Sequence, residues 1–94
     1  MSFQRFSFDR RVDRAIESVG FTEPTPIQSE AIPVVLDERD VIGVAHTGTG
    51  KTAAFLLPII QRLTTGPLRQ VRALIIAPTR ELAEQIHQMN IDLA

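Results

Sequence analysis

Residues 45 to 52 read A-H-T-G-T-G-K-T and stand between an apolar run, Val41 to Val44, and a long apolar segment, Ala53 to Ile60. Two glycines, a lysine and a hydroxyl at this spacing are the parts of a polyphosphate cradle. Gly48 and Gly50 admit backbone angles closed to other residues and let the main chain approach a ligand with no Cβ in the way. Successive N–H groups then point into the concavity, and the following helix adds about half a positive charge at its N-terminus. Lys51 is placed to reach the β- and γ-phosphates, and the Thr52 hydroxyl to ligate Mg²⁺. The strict pattern opens with Gly; here Ala45 holds that place, which makes the match one to the looser A-x-x-G-x-G-K-T form.

A second reading fits the same residues, since Gly48 to Ala53 also satisfies the dinucleotide fingerprint G-x-G-x-x-A after a strand. That reading requires an acidic residue roughly 20 positions on for the ribose hydroxyl. Residues 41 to 80 contain no Asp or Glu, although Arg72 is available to a 2′-phosphate. A third class, an interaction module, predicts binding of neither nucleotide.

Ninety-four residues, 44% hydrophobic and 22% charged, suit one small globular unit. A chain this short buries only roughly 60 to 70% of its unfolded surface, and a phosphate-loop sheet needs more strands than it supplies. A piece of a larger domain is therefore expected, with exposed core faces that can drive self-association. With no cysteine, disulfide and thiolate-metal readings fall away. The longest uninterrupted apolar stretch, Ala53 to Ile60, is eight residues and includes Pro58, against about 20 for a membrane span. Residues 1 to 8 lack a signal-peptide core, so a cytoplasmic protein without membrane contact is expected.

The net charge of −1 conceals an uneven distribution. Residues 1 to 40 carry five Arg and eight acids; residues 41 to 80 carry Lys51, Arg62, Arg69, Arg72 and Arg80 with no acid; the rest carry three acids and no Lys or Arg. The cationic middle suits phosphates of a nucleotide or a nucleic-acid backbone.

Phe3, Phe6 and Phe8 crowd the start and call for a packing partner. Asp9 is the cap of a helix running to about Val19, with Val12, Ala15, Ile16 and Val19 on one face and Gly20 as its stop. Thr25 and Pro26 open a second helix to about Leu36, bent near Pro33. Gln28 falls in its first turn, where an amide that both donates and accepts can meet the N6/N7 edge of adenine, with Phe21 available to stack. Val34 to Glu38 imitates an apolar strand ending in the Asp-Glu of nucleotide hydrolases. A parallel crossover to Val41 needs about a dozen residues, and only two intervene, so Asp37 and Glu38 read as a polar turn. Val41 to Ala45 and Ala73 to Ala77 read as buried parallel strands joined by a helix from Gly50 to about Leu63, kinked at Pro58, in a right-handed crossover. Thr79 caps a last helix, with Leu82, Ile86 and Met89 on one face. Ligands of open α/β sheets bind beyond the carboxyl ends of the strands, which brings Arg80 to the nucleotide face. His46 and His87 are single and support neither a metal site nor a catalytic dyad.

Three segments together resemble the N-terminal part of the DEAD-box ATP-dependent RNA helicases, in a bacterial, RhlE-like form. G-F-T-E-P-T-P-I-Q, residues 20 to 28, is similar to that family's Q motif, A-H-T-G-T-G-K-T to motif I, and P-T-R-E-L-A, residues 78 to 83, to motif Ia. The resemblance covers essentially the whole chain. It implies a P-loop NTPase (RecA-like) α/β fold with a parallel sheet, of which the first strand-helix-strand unit and the N-terminal helices are present. Residues 1–29 would form the Q-motif region and 30–94 the start of the ATP-binding domain. It also implies ATP and Mg²⁺ as cofactors and RNA as partner. Gln28 would recognise adenine, with Phe21 stacked on the base, the Glu23 backbone beside it and Phe3 behind the pocket. Ala45, His46, Thr47, Gly48, Thr49, Gly50, Lys51 and Thr52 would hold the triphosphate and metal, with Lys51 and Thr52 as the catalytic residues. Pro78, Thr79 and Arg80 would touch the RNA backbone without sequence preference. His46 stands where the family usually has Gln. The family's Asp-Glu-Ala-Asp strand, Ser-Ala-Thr segment and second domain are not among these residues, so binding without turnover is expected of this chain.

Overall fold

In a computed structural model, residues 3–44, 50–67 and 69–94 are described. A 3-10 turn over Phe3–Phe6 leads into four helices: α1 (Arg10–Ser18), α2 (Pro26–Leu36), α3 (Lys51–Leu63) and α4 (Arg80–Leu93). The ends of these helices follow from local chemistry. Asp9 accepts a hydrogen bond from the Arg11 N–H at 2.9 Å and starts α1. Gly20, at φ +84°, ends it in a Schellman motif: the Gly20 N–H donates to Glu17 O and the Phe21 N–H to Ile16 O. Helix α2 ends the same way with Glu38 in the left-handed position at φ +61°, the Glu38 N–H donating to Val35 O and the Arg39 N–H to Val34 O. Asp37 and Glu38 are thus a helix-ending turn, as the short spacing to Val41 required.

Helix α2 runs without interruption through Pro33. A proline has no N–H for the carbonyl four residues back, which here is Ser29; the Arg5 guanidinium donates to that oxygen at 3.0 Å. A side chain from the N-terminal turn therefore satisfies the group that the proline leaves open. Helix α2 continues across residues 29 and 30.

Helix α3 is the centre of the packing. Its Ala53, Leu56 and Leu57 meet Ile32 of α2, Val12 and Ile16 of α1, and Ile86 and Leu93 of α4 in one cluster, closed at the N-terminal side by Phe3, Phe6 and Phe8. The three phenylalanines that showed no period are all buried, and their rings touch in sequence: Phe3 and Phe6 edge-on at 6.1 Å, Phe6 and Phe8 tilted at 5.6 Å. The far end of α3 is tied back to the N-terminal segment, since the Asp9 N–H donates to Gln61 Oε1 at 2.6 Å. In the expected face of α4, Ile86 is buried and Met89 half-buried, while Leu82 remains 37% exposed.

The parallel sheet is the expectation that the structure does not carry: no strand is formed among the described residues. Ile42 is 95% exposed and Val44 90%; Val71, Leu74 and Ile76 are likewise open to solvent. A parallel strand is stable only in a sheet of several strands whose two faces are covered by helices. This chain supplies two such segments and helices that pack mainly on one another, and no ladder joins the apolar runs among the described residues.

Candidate nucleotide site

Of the residues singled out by the sequence, Gln28, Gly50, Lys51 and Thr52 lie where α2 meets the start of α3. Gly50 caps α3 at φ +84°, ψ 23°, a left-handed conformation that a side chain disfavours. Space excludes a side chain as well, because a Cβ on Gly50 would collide with Gln28 Nε2 and stand 3.2 Å from Thr25 Oγ1. Among the described residues Gln28 is the one polar side chain buried in the core, 2% exposed, and both ends of its amide are engaged. Its Oε1 accepts from the Thr25 N–H at 3.0 Å, and its Nε2 donates to the Gly50 carbonyl, 22 residues away in sequence, at 3.1 Å. The Thr25–Gln28 pair has the arrangement of a capping box on α2, yet Thr25 Oγ1 is buried and closes no hydrogen bond of full geometry. The sequence reading missed this local clamp, for which the T-x-x-Q spacing is the available signal; its attachment to Gly50 had no sequence signal.

Residues 45–49 (Ala45, His46, Thr47, Gly48 and Thr49) lie outside the described residues. From Gly50 onward the surroundings match an anion. The first turn of α3 contains no acid, the aligned peptide dipoles are positive there, and Lys51 is exposed with no hydrogen bond or ion pair among the described residues. Thr52 is half-buried beside it. Lys51 and Thr52 also line a cavity of about 400 Å³ with Ile27 and Ala31 of α2 and Ile75 and Ile76 of the second apolar run. No group of three or more His, Asp or Glu side chains suited to a metal occurs among the described residues; a hard cation here would be held mainly by phosphate oxygens, with the Thr52 hydroxyl as the protein's contribution.

Phe21 is half-buried, and its ring stacks on Phe3 with centroids 6.1 Å apart and planes 20° from parallel. With Phe3, Arg10 and Arg14 it lines a separate hollow of about 510 Å³ that does not include Gln28. Glu23 is exposed. Pro78, Thr79 and Arg80 form the exposed entry to α4, where Thr79 Oγ1 accepts from the Leu82 N–H at 3.1 Å as the cap.

The cationic middle divides into two kinds of residue. Arg62 pairs with Glu38 at 3.2 Å, and the Arg72 guanidinium donates to the carbonyls of Arg62 in the last turn of α3 and of Thr65 and Pro67 beyond it. Lys51, Arg69 and Arg80 make no such bond among the described residues. The position of Arg72 decides against the dinucleotide reading. It is bound near the far end of a 13-residue helix, roughly 20 Å from the phosphate end at 1.5 Å per residue, and cannot serve a 2′-phosphate there.

Comparison with known proteins agrees with this geometry. Over 99% of its length the chain is 50% identical to the ATP-dependent RNA helicase drs1 of Neurospora crassa, and it spans 12% of that protein. Over 79% of its length it is 62% identical to the ATP-dependent rRNA helicase rrp3 of Schizosaccharomyces pombe, spanning 16% of it. Among solved structures, the RNA helicase Prp28 of Chaetomium thermophilum bound to ADP superposes with TM-score 0.88 at 45% identity, over 98% of this chain and 23% of that one. A DEAD box protein of Methanococcus jannaschii gives 0.90 at 35% identity, over 99% and 25%. The chain path is therefore that of these proteins even though no ladder closes. These relatives are fungal and archaeal, and none of them carries the narrower bacterial, RhlE-like placement. Residues 25–93 match the DEAD/DEAH box helicase family, and with the Gln28 turn standing on the first residues of a phosphate-loop helix, the chain belongs to that family.

Proposed function

We propose that this chain binds ATP with Mg²⁺ and is the ATP-binding part of an ATP-dependent RNA helicase that couples nucleotide binding and hydrolysis to duplex unwinding. The observation that carries this reading is the 3.1 Å bond from Gln28 to the Gly50 carbonyl. It joins a turn of adenine-reading type to the base of the phosphate-loop helix. In the proposed complex, residues 45 to 52 wrap the triphosphate, Lys51 neutralises its charge and the Thr52 hydroxyl meets the metal. Gln28, whose buried amide already bonds the Thr25 N–H and the Gly50 carbonyl, would turn its remaining N–H and lone pair to the adenine on binding, with Phe21 moving from its own hollow to stack beside the Glu23 backbone. Pro78, Thr79 and Arg80 would meet the RNA sugar-phosphate backbone.

The fold proposed for the complete domain is a RecA-like parallel sheet, in which the runs at 41–45 and 73–77 become strands once neighbours stand beside them. Hydrolysis needs a group that orients water and further positive charge around the transferring phosphoryl. Neither is supplied by Lys51 and Thr52, so this chain alone should bind without turning over. A cytoplasmic location and self-association through the exposed apolar runs belong to the same proposal.

Isothermal titration of the 94-residue chain with ATP and Mg²⁺ tests the binding half, with Lys51→Ala as control. Heat that saturates and is lost in the variant is expected; no heat with either chain overturns the assignment. Phosphate release stimulated by RNA in this chain would overturn the no-turnover half.

A further inference from the structure

We propose that Arg5 is a positioning residue for the nucleotide site: it holds helix α2 straight at Pro33, so that α2 keeps its place beside both flanks of the phosphate loop. The proposal rests on the nucleotide reading above. Pro33 lies inside α2 and brings no N–H to the Ser29 carbonyl, and a proline is where a helix most often kinks. Arg5 Nη2 supplies the missing donor at 3.0 Å, from 24 residues upstream. The same guanidinium stands 4.8 Å from the centroid of the Phe6 ring, which is buried in the core. The donor is thereby anchored against a fixed aromatic surface.

Helix α2 touches the chain on either side of the loop. Ahead of it, Ile27 Cδ1 stands 3.2 Å from the place that a Cβ on Gly43 would take. After it, Ile27 and Ala31 line one cavity together with Lys51 and Thr52. A kink at Pro33 turns the N-terminal half of α2, which carries Ile27 and Ala31, relative to the half that follows. The two flanks of the loop then lose their common wall, although Arg5 itself lines neither that cavity nor the loop.

The proline supplies the control. Pro33→Ala returns a backbone N–H to the Ser29 carbonyl, so Arg5 should become dispensable in that background; Pro33 is exposed, and its replacement takes nothing from the core. Calorimetry with ATP and Mg²⁺ compares wild type, Arg5→Ala, Pro33→Ala and the double variant, at a temperature where far-UV circular dichroism shows all four folded. Arg5→Ala should bind roughly three- to tenfold more weakly, the range that loss of one such hydrogen bond allows. Pro33→Ala and the double variant should bind like wild type. Unchanged affinity in Arg5→Ala would overturn the proposal and leave the nucleotide reading standing. Equal weakening in Arg5→Ala and the double variant would overturn it too, since Arg5 would then act by a route other than the Ser29 carbonyl. A wild type that binds no ATP would overturn both readings. Should Arg5→Ala alone not fold, the double variant carries the test: it should fold and bind ATP like wild type, and failure in either respect overturns the proposal.

Discussion

Gly50→Ala measures how tightly the phosphate-loop helix is held by the turn beneath it. At φ +84° an alanine pays about 1–2 kcal/mol for the left-handed conformation. The new methyl group also needs the space of the Gln28 amide, and that amide is pinned at both ends in a buried site. Displacing it breaks the bond to the Gly50 carbonyl, about 0.5–1.5 kcal/mol, and leaves buried polar groups without partners, about 1–3 kcal/mol. The total expected is about 3–6 kcal/mol, against roughly 5–14 kcal/mol for a domain of this length. Gly20→Ala is the matched control, with the same φ of +84° and nothing within 4 Å of the added Cβ; it should cost about 1–2 kcal/mol. The chain has no Trp or Tyr, so urea unfolding is followed by circular dichroism at 222 nm. Equal losses in the two variants would refute the steric argument. In the double variant Gly50→Ala with Gln28→Ala, the added cost of the alanine should shrink to the Gly20 value.

Three further outcomes follow from the packing and charge. Leu57 is fully buried in the central helix, so Leu57→Ala should lose about 2–5 kcal/mol; a loss under 1 kcal/mol in the same unfolding assay would mean that the cluster is not packed as described. Asp9 is held below the usual aspartate range first by the side-chain bond with Arg11 and then by the Arg11 backbone N–H. Its stabilising effect is therefore complete above the unfolded value of about 3.9 and disappears as the pH falls through the lower native one. Asp9→Ala should lower stability at neutral pH by removing the cap of α1, Asp9→Asn should lower it less, and the gap from wild type should close in unfolding curves taken towards pH 2. Arg72→Ala should lower the midpoint of thermal unfolding by about 4–8 °C, corresponding to roughly 1 kcal/mol, and Arg72→Lys should resemble Ala, since a point charge cannot fork to three carbonyls; full rescue by Lys would show that only the charge matters.

The helices were legible in the sequence because their signals are local. Asp9, Gly20, Thr25 with Pro26, and Thr79 each act on backbone groups within a few residues, and each marks the helix end at which it stands. The apolar spacing in α1 likewise placed Val12 and Ile16 in the core. The phosphate-loop pattern was legible for the same reason, as one short stretch carries its glycines, lysine and hydroxyl together. What only the tertiary structure decided concerns residues distant in sequence. Gln28 meets Gly50 across 22 positions, Arg5 satisfies the carbonyl freed by Pro33, and Arg72 turns back on the end of α3 instead of facing a ligand. A sequence shows which groups need a partner, but folding selects among several chemically equivalent ones. That the two apolar runs form no strand among the described residues has the complementary reason: an apolar run has the propensity for a strand, while the ladder requires a paired neighbour and helices over both faces, which lie at a distance in sequence.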